Sequence, residues 1–264
     1  MKFVSGVILG VSVLAGLLTV ASVRAEDPPA PAATPAAPTC EVPDYLLSTD
    51  NALTKVAEAI KPGGSLNILV IGSRSSTISV SAASSEAAAY PSQMQAALKA
   101  KLPSIEVNVS VEIQAKKTAA EVATSLPKLL ESKKPTLVVW QTGTVDAMRS
   151  VDPDEFRSGI SDGVVALQEA GADVILINPQ YSPRTESMIS ASPYLDNMRV
   201  VAQEHDVPLF DRFAIMRSWS ESGEFDLFTA VHGAELAKRV HNCLGRALSQ
   251  FIIDAAHPKP VQEN

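Results

Sequence analysis

The sequence predicts an α/β protein in which helices cover both faces of a five-stranded parallel sheet. Three runs, at residues 66–71, 137–140 and 174–177, are largely apolar at consecutive positions and rich in Val, Ile and Leu. This composition is typical of strands that are buried on both faces. Amphipathic helical segments separate these runs, and strands that alternate with helices form parallel sheets with right-handed crossovers. We therefore expect a three-layer α/β/α domain.

The remaining segments complete this sheet and its two helical layers. Residues 105–113 (IEVNVSVEI) alternate apolar and polar side chains, which predicts a strand with one exposed face near the sheet edge. Residues 207–210 are predicted to form a short fifth strand. Helices are predicted over residues 43–60, 86–101 (with a helix opening at Tyr90-Pro91), 118–130, 153–170, 188–205, 211–219 and 232–256.

The N-terminal segment predicts export. Met1-Lys2 carries the positive charge, residues 3–20 are apolar, and Val23-Arg24-Ala25 offers a small-x-small cleavage site. This arrangement is typical of a secretory signal peptide over residues 1–25, and an uncleaved membrane anchor is the alternative. Residues 26–39 form a Pro/Ala-rich linker. The folded domain is then expected over residues 40–256, followed by a polar tail at 257–264.

Two cysteines, Cys40 and Cys243, and the charge balance narrow the possible classes of protein. Because an exported chain meets an oxidising compartment, the cysteine pair predicts a disulfide between the start of the domain and its last helix. Two unrelated buried thiols are the alternative.

The wide spacing of the cysteines and the small number of possible ligands argue against a metal site. A net charge of −7 without a basic stripe argues against nucleic acid as a partner.

A serine-rich segment directly follows the first strand. Gly72 ends the strand, and Ser73, Ser75, Ser76 and Thr77 come after it. Ligands of α/β sheets bind at the carboxyl edge, where strands end. The segment therefore suits an exposed nucleophile or a backbone cradle for an anion, and a turn without chemistry is the alternative. It lacks the Gly-Lys-Ser/Thr sequence of a nucleotide-binding loop.

Two other segments bring polar residues to the same edge. Residues 141–146 (QTGTVD) follow the third strand, Asp226 precedes the last helix, and His232 enters it. Histidine can act as a general base near neutral pH. A serine, a histidine and a carboxylate from separate strand ends are the components of nucleophilic acyl transfer.

In these residues the chain resembles the SGNH/GDSL hydrolase family. Ser75-Ser76-Thr77 resembles its nucleophile-x-Thr pattern, residues 143–146 (GTVD) resemble its Gly-x-Asn-Asp block, and His232 stands at its final histidine. Further similar segments are Tyr90-Pro91 with Leu98, residues 117–121 (KTAAE) and residues 201–211. The resemblance covers about residues 67–248, and it implies a flavodoxin-like fold of the SGNH-hydrolase type.

The resemblance also implies an activity and a set of catalytic residues. Ser75 would be the nucleophile, His232 the general base and Asp226 the carboxylate that orients the imidazole. The backbone N–H groups of Ser75 and Lys116 would bind the oxyanion. Such an exported serine esterase would hydrolyse an ester of a small acyl group on a carbohydrate or a lipid, with no metal or organic cofactor.

The catalytic blocks depart from the family pattern at several positions. Ser73-Arg74 stands where one aspartate is usual, Lys116 replaces a glycine, and Thr229 replaces the aspartate three residues before the family histidine. Val145 replaces the asparagine that donates to the oxyanion, and loss of one such donor commonly slows an enzyme about a hundredfold to a thousandfold. These departures favour a second hypothesis, a catalytically impaired protein that binds a glycan or a cell-envelope partner. A structural or assembly protein with a vestigial cleft is a third.

Three other conspicuous residues are expected to have structural roles. Trp140 and Trp219 should pack in the core. His241, which lies further along the last helix than His232, is expected to be a partly exposed helix residue.

Overall fold

A computed structural model of the protein describes residues 39–78, 85–228 and 233–257. The predicted signal peptide, linker and tail therefore lie outside the described residues, apart from Thr39 and His257 at their edges. Within the described ranges, no helix is both long enough and apolar enough to cross a membrane.

Five strands form one parallel sheet in the order β2-β1-β3-β4-β5. The strands are β1 (Ser65–Gly72), β2 (Glu106–Ile113), β3 (Leu137–Gln141), β4 (Asp173–Ile177) and β5 (Leu209–Phe210). All residues of β3 are buried, whereas several residues of β2 are exposed. The predicted parallel sheet is confirmed, and so is the place of β2 at its edge.

Most helices lie in the predicted segments, three of which are each divided into two helices, whereas the short helices at residues 144–148 and 183–186 were not predicted. The helices are α1 (Asp44–Leu47), α2 (Thr54–Ala59), α3 (Ser85–Ala88), α4 (Tyr90–Lys101), α5 (Ala119–Ala123), α6 (Leu126–Lys133), α7 (Thr144–Met148), α8 (Pro153–Glu169), α9 (Pro183–Glu186), α10 (Ser192–Glu204), α11 (Arg212–Glu221) and α12 (Gly233–Ala256). A proline stands in the first turn of α4, α6 and α10. Proline cannot continue a preceding helix but fits the first turn of a new one. Apolar periodicity alone therefore predicted longer helices than the chain forms.

Two hydrophobic clusters cover the two faces of the sheet. Alternate residues of β1 face opposite sides, so that Ile68 and Val70 belong to one cluster and Leu69 and Ile71 to the other. The first cluster includes residues of α4, α11 and α12, and the second includes residues of α5, α8 and α10. This is the three-layer α/β/α architecture that the sequence predicts.

A disulfide joins Cys40 to Cys243, with the two Cα atoms 5.1 Å apart. It links the segment before α1 to the middle of α12, which agrees with the predicted pairing and not with two separate thiols. Trp140 and Trp219 are buried in the core, as the sequence predicts.

Candidate active site

Ser75, the predicted nucleophile, lies just beyond the carboxyl end of β1 in a short 3-10 helix, Arg74–Ser76. Ser73 precedes this turn, and its hydroxyl accepts a hydrogen bond of 3.4 Å from the Ser75 N–H. Gly72 is needed because a Cβ at this position would lie 2.2 Å from Ser76 Oγ. The turn folds Ser76 into the protein and leaves Ser75 half-buried at the surface.

Gln141, the last residue of β3, contacts all three serines that follow β1. Its Nε2 donates to Ser73 Oγ at 2.9 Å and to Ser75 Oγ at 2.7 Å. Its Oε1 accepts from Ser76 Oγ at 2.8 Å. Because Gln141 is buried, these bonds fix the position of the serine segment against the end of the sheet.

The guanidinium of Arg212, the first residue of α11, is buried beside Gln141 and Ser75. Nη1 donates to Gln141 Oε1 at 2.9 Å and to Ser75 Oγ at 3.3 Å. Nη2 donates to the backbone oxygen of Ser75 and to Gln180 Oε1, both at 3.1 Å. Arg212 is only 1 % exposed, and burial lowers its pKa to about 10, so it is a cation near neutral pH. Among the residues that the structure describes, it forms no ion pair with a carboxylate.

Tyr90 and His241 complete this buried polar network. The Tyr90 hydroxyl donates to Gln141 Oε1 at 3.2 Å, and the backbone N–H of Tyr90 donates to His241 Nδ1 at 3.0 Å. A neutral imidazole that accepts at Nδ1 carries its proton on Nε2. Burial, and then the charge of Arg212, lower the pKa of His241 to about 3. His241 is therefore neutral, and neither of its nitrogens is available as a general base.

The burial of His241 corrects the expectation that it is a partly exposed helix residue. It is 6 % exposed, because α12 packs this face of the helix against the beginning of α4.

Ser75 opens onto a depression of about 440 Å³ at the carboxyl edge of the sheet. Gln180, from the loop after β4, and His241 form part of its wall, and Gly233 and Ala237 of α12 form another part. Parallel strands place their carboxyl ends at one edge, which is why segments so distant in sequence meet here.

Of the predicted triad, the structure describes Ser75 and Asp226. His232 and Thr229 lie outside the described residues, although Gly233, which follows His232 directly, lines the depression. Asp226 lies in the loop between α11 and α12, where its Oδ1 accepts from the Phe228 N–H at 3.0 Å.

Lys116 and Val145 are the two positions where the chain departs from the oxyanion residues of the family. Lys116 has a φ of 63°, the left-handed conformation that glycine adopts most easily. Val145 lines a narrow crevice together with Ser73 and Gln141. Asp146 has a structural role, since its buried Oδ1 accepts from the Ala119 N–H at 2.9 Å at the start of α5.

Arg212 and Gln180 are site residues that sequence reasoning missed, and Gln141 was recognised only as one polar residue among several. The sequence pattern that could have identified Arg212 is the helical spacing in α11, which places residues 212, 215, 216 and 219 on one helix face. Ile215, Met216 and Trp219 on that face are buried. An arginine in an otherwise apolar stripe therefore indicates a buried cation.

The described residues contain no group of three or more His, Cys, Asp or Glu side chains that could hold a metal ion. The polar network around Ser75 consists of amides, hydroxyls, one imidazole and one guanidinium. These are groups that orient and stabilise an oxygen nucleophile or an anion.

The chain matches the model of the Non-GDSL lipase-like family over residues 39–258. The comparison with curated proteins found no significant match.

Solved structures of ester hydrolases share the fold. A two-domain esterase active on acetylated mannans has 16% identity and a TM-score of 0.59, over 81% of this chain and 56% of that one. A catalytic mutant of an acetylxylan esterase from Geobacillus stearothermophilus has 17% identity and a TM-score of 0.56, over 73% and 96% of the two chains. The lipase/acylhydrolase from Enterococcus faecalis has 20% identity and a TM-score of 0.54, over 75% and 100%. The SGNH-hydrolase type of fold is thereby confirmed.

Proposed function

Because the chain belongs to the Non-GDSL lipase-like family, we propose that it is an exported serine esterase that acts on a small acyl ester. One observation carries this proposal. Ser75, which stands at the family nucleophile position, lines a depression at the carboxyl edge of the sheet, where α/β proteins bind their ligands.

The proposed reaction is acyl transfer through a covalent intermediate. Ser75 Oγ attacks the ester carbonyl while His232 takes the hydroxyl proton and passes it to the leaving alcohol. Water then releases the acyl group from Ser75 by the reverse sequence. Asp226 orients the imidazole. The backbone N–H groups of Ser75 and Lys116 bind the oxyanion, and the left-handed conformation of Lys116 supports that role because it is one that glycine adopts readily.

The substrate class follows from the relatives and from the shape of the site. Two of the solved structures with this fold are described as esterases of acetylated mannans and of acetylxylan. A shallow depression with mixed polar and apolar walls suits a small acyl group on a glycan or a lipid. We therefore propose an acylated carbohydrate as the first substrate to test.

Export is part of the proposal, supported by the N-terminal apolar run and by the disulfide between Cys40 and Cys243. Mass spectrometry of the mature protein from a host that secretes it should find an N-terminus at or near Glu26. A chain that retains Met1 would contradict export by cleavage.

The activity is tested with short-chain nitrophenyl esters and acetylated oligosaccharides. The wild-type protein should hydrolyse at least one of them, and Ser75→Ala should reduce the rate to the uncatalysed background because it removes the nucleophile. Ser73→Ala is the matched control for the choice of serine, and we expect it to keep most of the activity. A wild-type rate equal to that of Ser75→Ala over the whole panel would contradict the esterase proposal.

A second candidate function is binding of a glycan or a cell-envelope partner without catalysis. The observation that favours it is the environment of Ser75 Oγ, which accepts from Gln141 Nε2 and Arg212 Nη1 and lies 3.1 Å from Ser73 Oγ. None of these described neighbours is a general base. Binding of acetylated oligosaccharides by a wild-type protein that does not cleave them would favour this candidate.

A further inference from the structure

We propose that Gln141 supplies the side-chain amide donor for the oxyanion and that Arg212 orients and polarises this amide. The inference rests on the proposed function, because it assigns further residues to the same reaction at Ser75. Gln141, at the end of β3, would then replace the asparagine that is missing at Val145 in the following helix α7.

The first argument is the distance between Gln141 Nε2 and Ser75 Oγ, which is 2.7 Å. In the tetrahedral intermediate, Oγ and the oxyanion are bonded to the same carbon atom. A donor that already reaches Oγ is therefore close to the position of the oxyanion. Val145, at the family position for this donor, is apolar and lines the same crevice as Gln141.

The second argument is the fixed orientation of the Gln141 amide. Its Oε1 accepts from Arg212 Nη1 at 2.9 Å, from Ser76 Oγ at 2.8 Å and from the Tyr90 hydroxyl at 3.2 Å. A flipped amide would bring its NH₂ group against the guanidinium, which can only donate, and would lose the bond from Arg212. Nε2 is thus held towards Ser75, and a cation on Oε1 withdraws electron density from the amide nitrogen, which strengthens its N–H groups as donors.

The third argument is the charge of Arg212. A buried cation is costly unless other groups compensate it. Its described partners are uncharged: the oxygens of Gln141, Gln180 and Ser75 and the ring of Tyr90, whose centroid lies 5.6 Å from Cζ. Negative charge on the reacting oxygens would compensate it, since Nη1 lies 3.3 Å from Ser75 Oγ. The network is therefore more favourable in the transition state than in the resting enzyme, which is the condition for electrostatic catalysis.

The chemical step assigns a role to each group. Ser75 Oγ forms a bond to the carbonyl carbon, the π electron pair of the C=O bond moves to oxygen, and the hydroxyl proton passes to the general base. The new oxyanion then accepts a hydrogen bond from Gln141 Nε2. When the intermediate collapses, the C=O bond re-forms, the bond to the alcohol oxygen breaks, and the alcohol takes the proton from the base.

Gln141→Glu is the main test, carried out on the mature protein. The carboxylate keeps an acceptor for Arg212, Ser76 and Tyr90 but has no N–H for the oxyanion, so we expect kcat to fall about a hundredfold to a thousandfold with little change in KM. Gln141→Met removes the donor without adding charge and should also lower kcat. Gln168→Glu is the matched control, because it makes the same chemical change at an exposed position of α8 and should leave kcat unchanged.

A rescue experiment separates the catalytic role from a structural one. Val145→Asn restores the family donor, so it should recover part of the lost kcat in the Gln141→Met background. In the wild-type background it should change kcat by less than about threefold, because Gln141 already provides the donor. A large gain in the wild-type background and none in Gln141→Met would overturn the inference.

Arg212 is tested as a positioning residue through the separation of kcat from KM. Arg212→Lys keeps a cation but not the two-pronged geometry, and we expect a lower kcat at an unchanged KM. Thermal unfolding will show whether the Gln141 and Arg212 variants fold. If they do not, Tyr90→Phe is the variant that tests the inference. It removes one donor to Gln141 Oε1 and should lower kcat a few-fold.

The outcomes distinguish this inference from the proposed function. Folded Gln141→Glu and Gln141→Met variants with kcat within about threefold of the wild type would overturn the inference and leave the esterase intact. A Tyr90→Phe variant with unchanged kcat would overturn it where those variants do not fold. A wild-type rate equal to that of Ser75→Ala would overturn both.

Discussion

The imidazole of His241 is buried next to the guanidinium of Arg212, and both surroundings disfavour its protonated form. Its pKa falls from an ordinary value of 6.5 to about 3 in the folded protein. Between these two values the unfolded chain binds more protons than the folded chain. The free energy of unfolding is therefore unaffected by this group above pH 6.5. As the pH falls from there towards 3, the free energy of unfolding decreases by about 1.4 kcal/mol for each pH unit.

His241→Asn should remove this pH dependence. The asparagine Oδ1 can take the place of Nδ1 and accept from the Tyr90 N–H, but asparagine does not titrate. Urea unfolding from neutral pH down to about pH 4 should show a flatter decline in the free energy of unfolding than in the wild type. His257→Asn, at an exposed position, should follow the wild-type curve. Identical slopes for wild type and His241→Asn would contradict the explanation.

At the scale of secondary-structure elements, α8 packs closely against β3 through Gly163. A Cβ at this position would lie 2.4 Å from two ring atoms of Trp140. Trp140 is fully buried, so its ring has little room to move. The glycine therefore sets the separation between this helix and the sheet.

Gly163→Ala should destabilise the protein even though alanine is the better helix former. The gain in helix propensity is about 1 kcal/mol, whereas overpacking a buried site costs typically about 1–3 kcal/mol. We expect a net loss, measured as a lower midpoint of urea unfolding. Ser158→Ala, on the exposed face of the same helix, is the control and should be neutral or slightly stabilising. If the midpoint of urea unfolding rose equally in both variants, α8 would have room for the added methyl group.

At the scale of the whole molecule, the disulfide closes almost the entire domain into one loop. Cys40 and Cys243 are 203 positions apart, and the chain-entropy model gives a stabilisation of about 5 kcal/mol for such a loop, with smaller values common in practice. The link also fixes the segment before α1 against α12, whose first turn lines the candidate active site.

The double variant Cys40→Ser/Cys243→Ser should therefore unfold at a lower urea concentration than the oxidised protein. Reduction of the wild type should shift its midpoint in the same direction and by a similar amount, which serves as the control. Unchanged midpoints in both experiments would show that the disulfide does not stabilise the fold.

The amino-acid sequence by itself determined the parallel sheet, its helical layers, the disulfide pairing and the position of Ser75. The strands, the helices and the position of Ser75 depend on local signals, whereas the disulfide was predicted from the presence of two cysteines in a chain expected to be exported. Apolar runs at residues 66–71 and 137–140 specify strands, Gly72 ends the first of them, and a parallel sheet brings the carboxyl ends of its strands to one edge.

The network around Ser75 was decided only by the tertiary structure. Arg212 contacts Gln141 and Ser75 across 71 and 137 positions of sequence, and no local pattern specifies which side chains will meet over such distances. The orientation of the Gln141 amide depends on this buried guanidinium, and the low pKa of His241 depends first on its burial and then on the charge of Arg212. Burial is the physical reason, because hydrogen-bond partners and neighbouring charges fix an amide or shift a pKa strongly only where water is excluded.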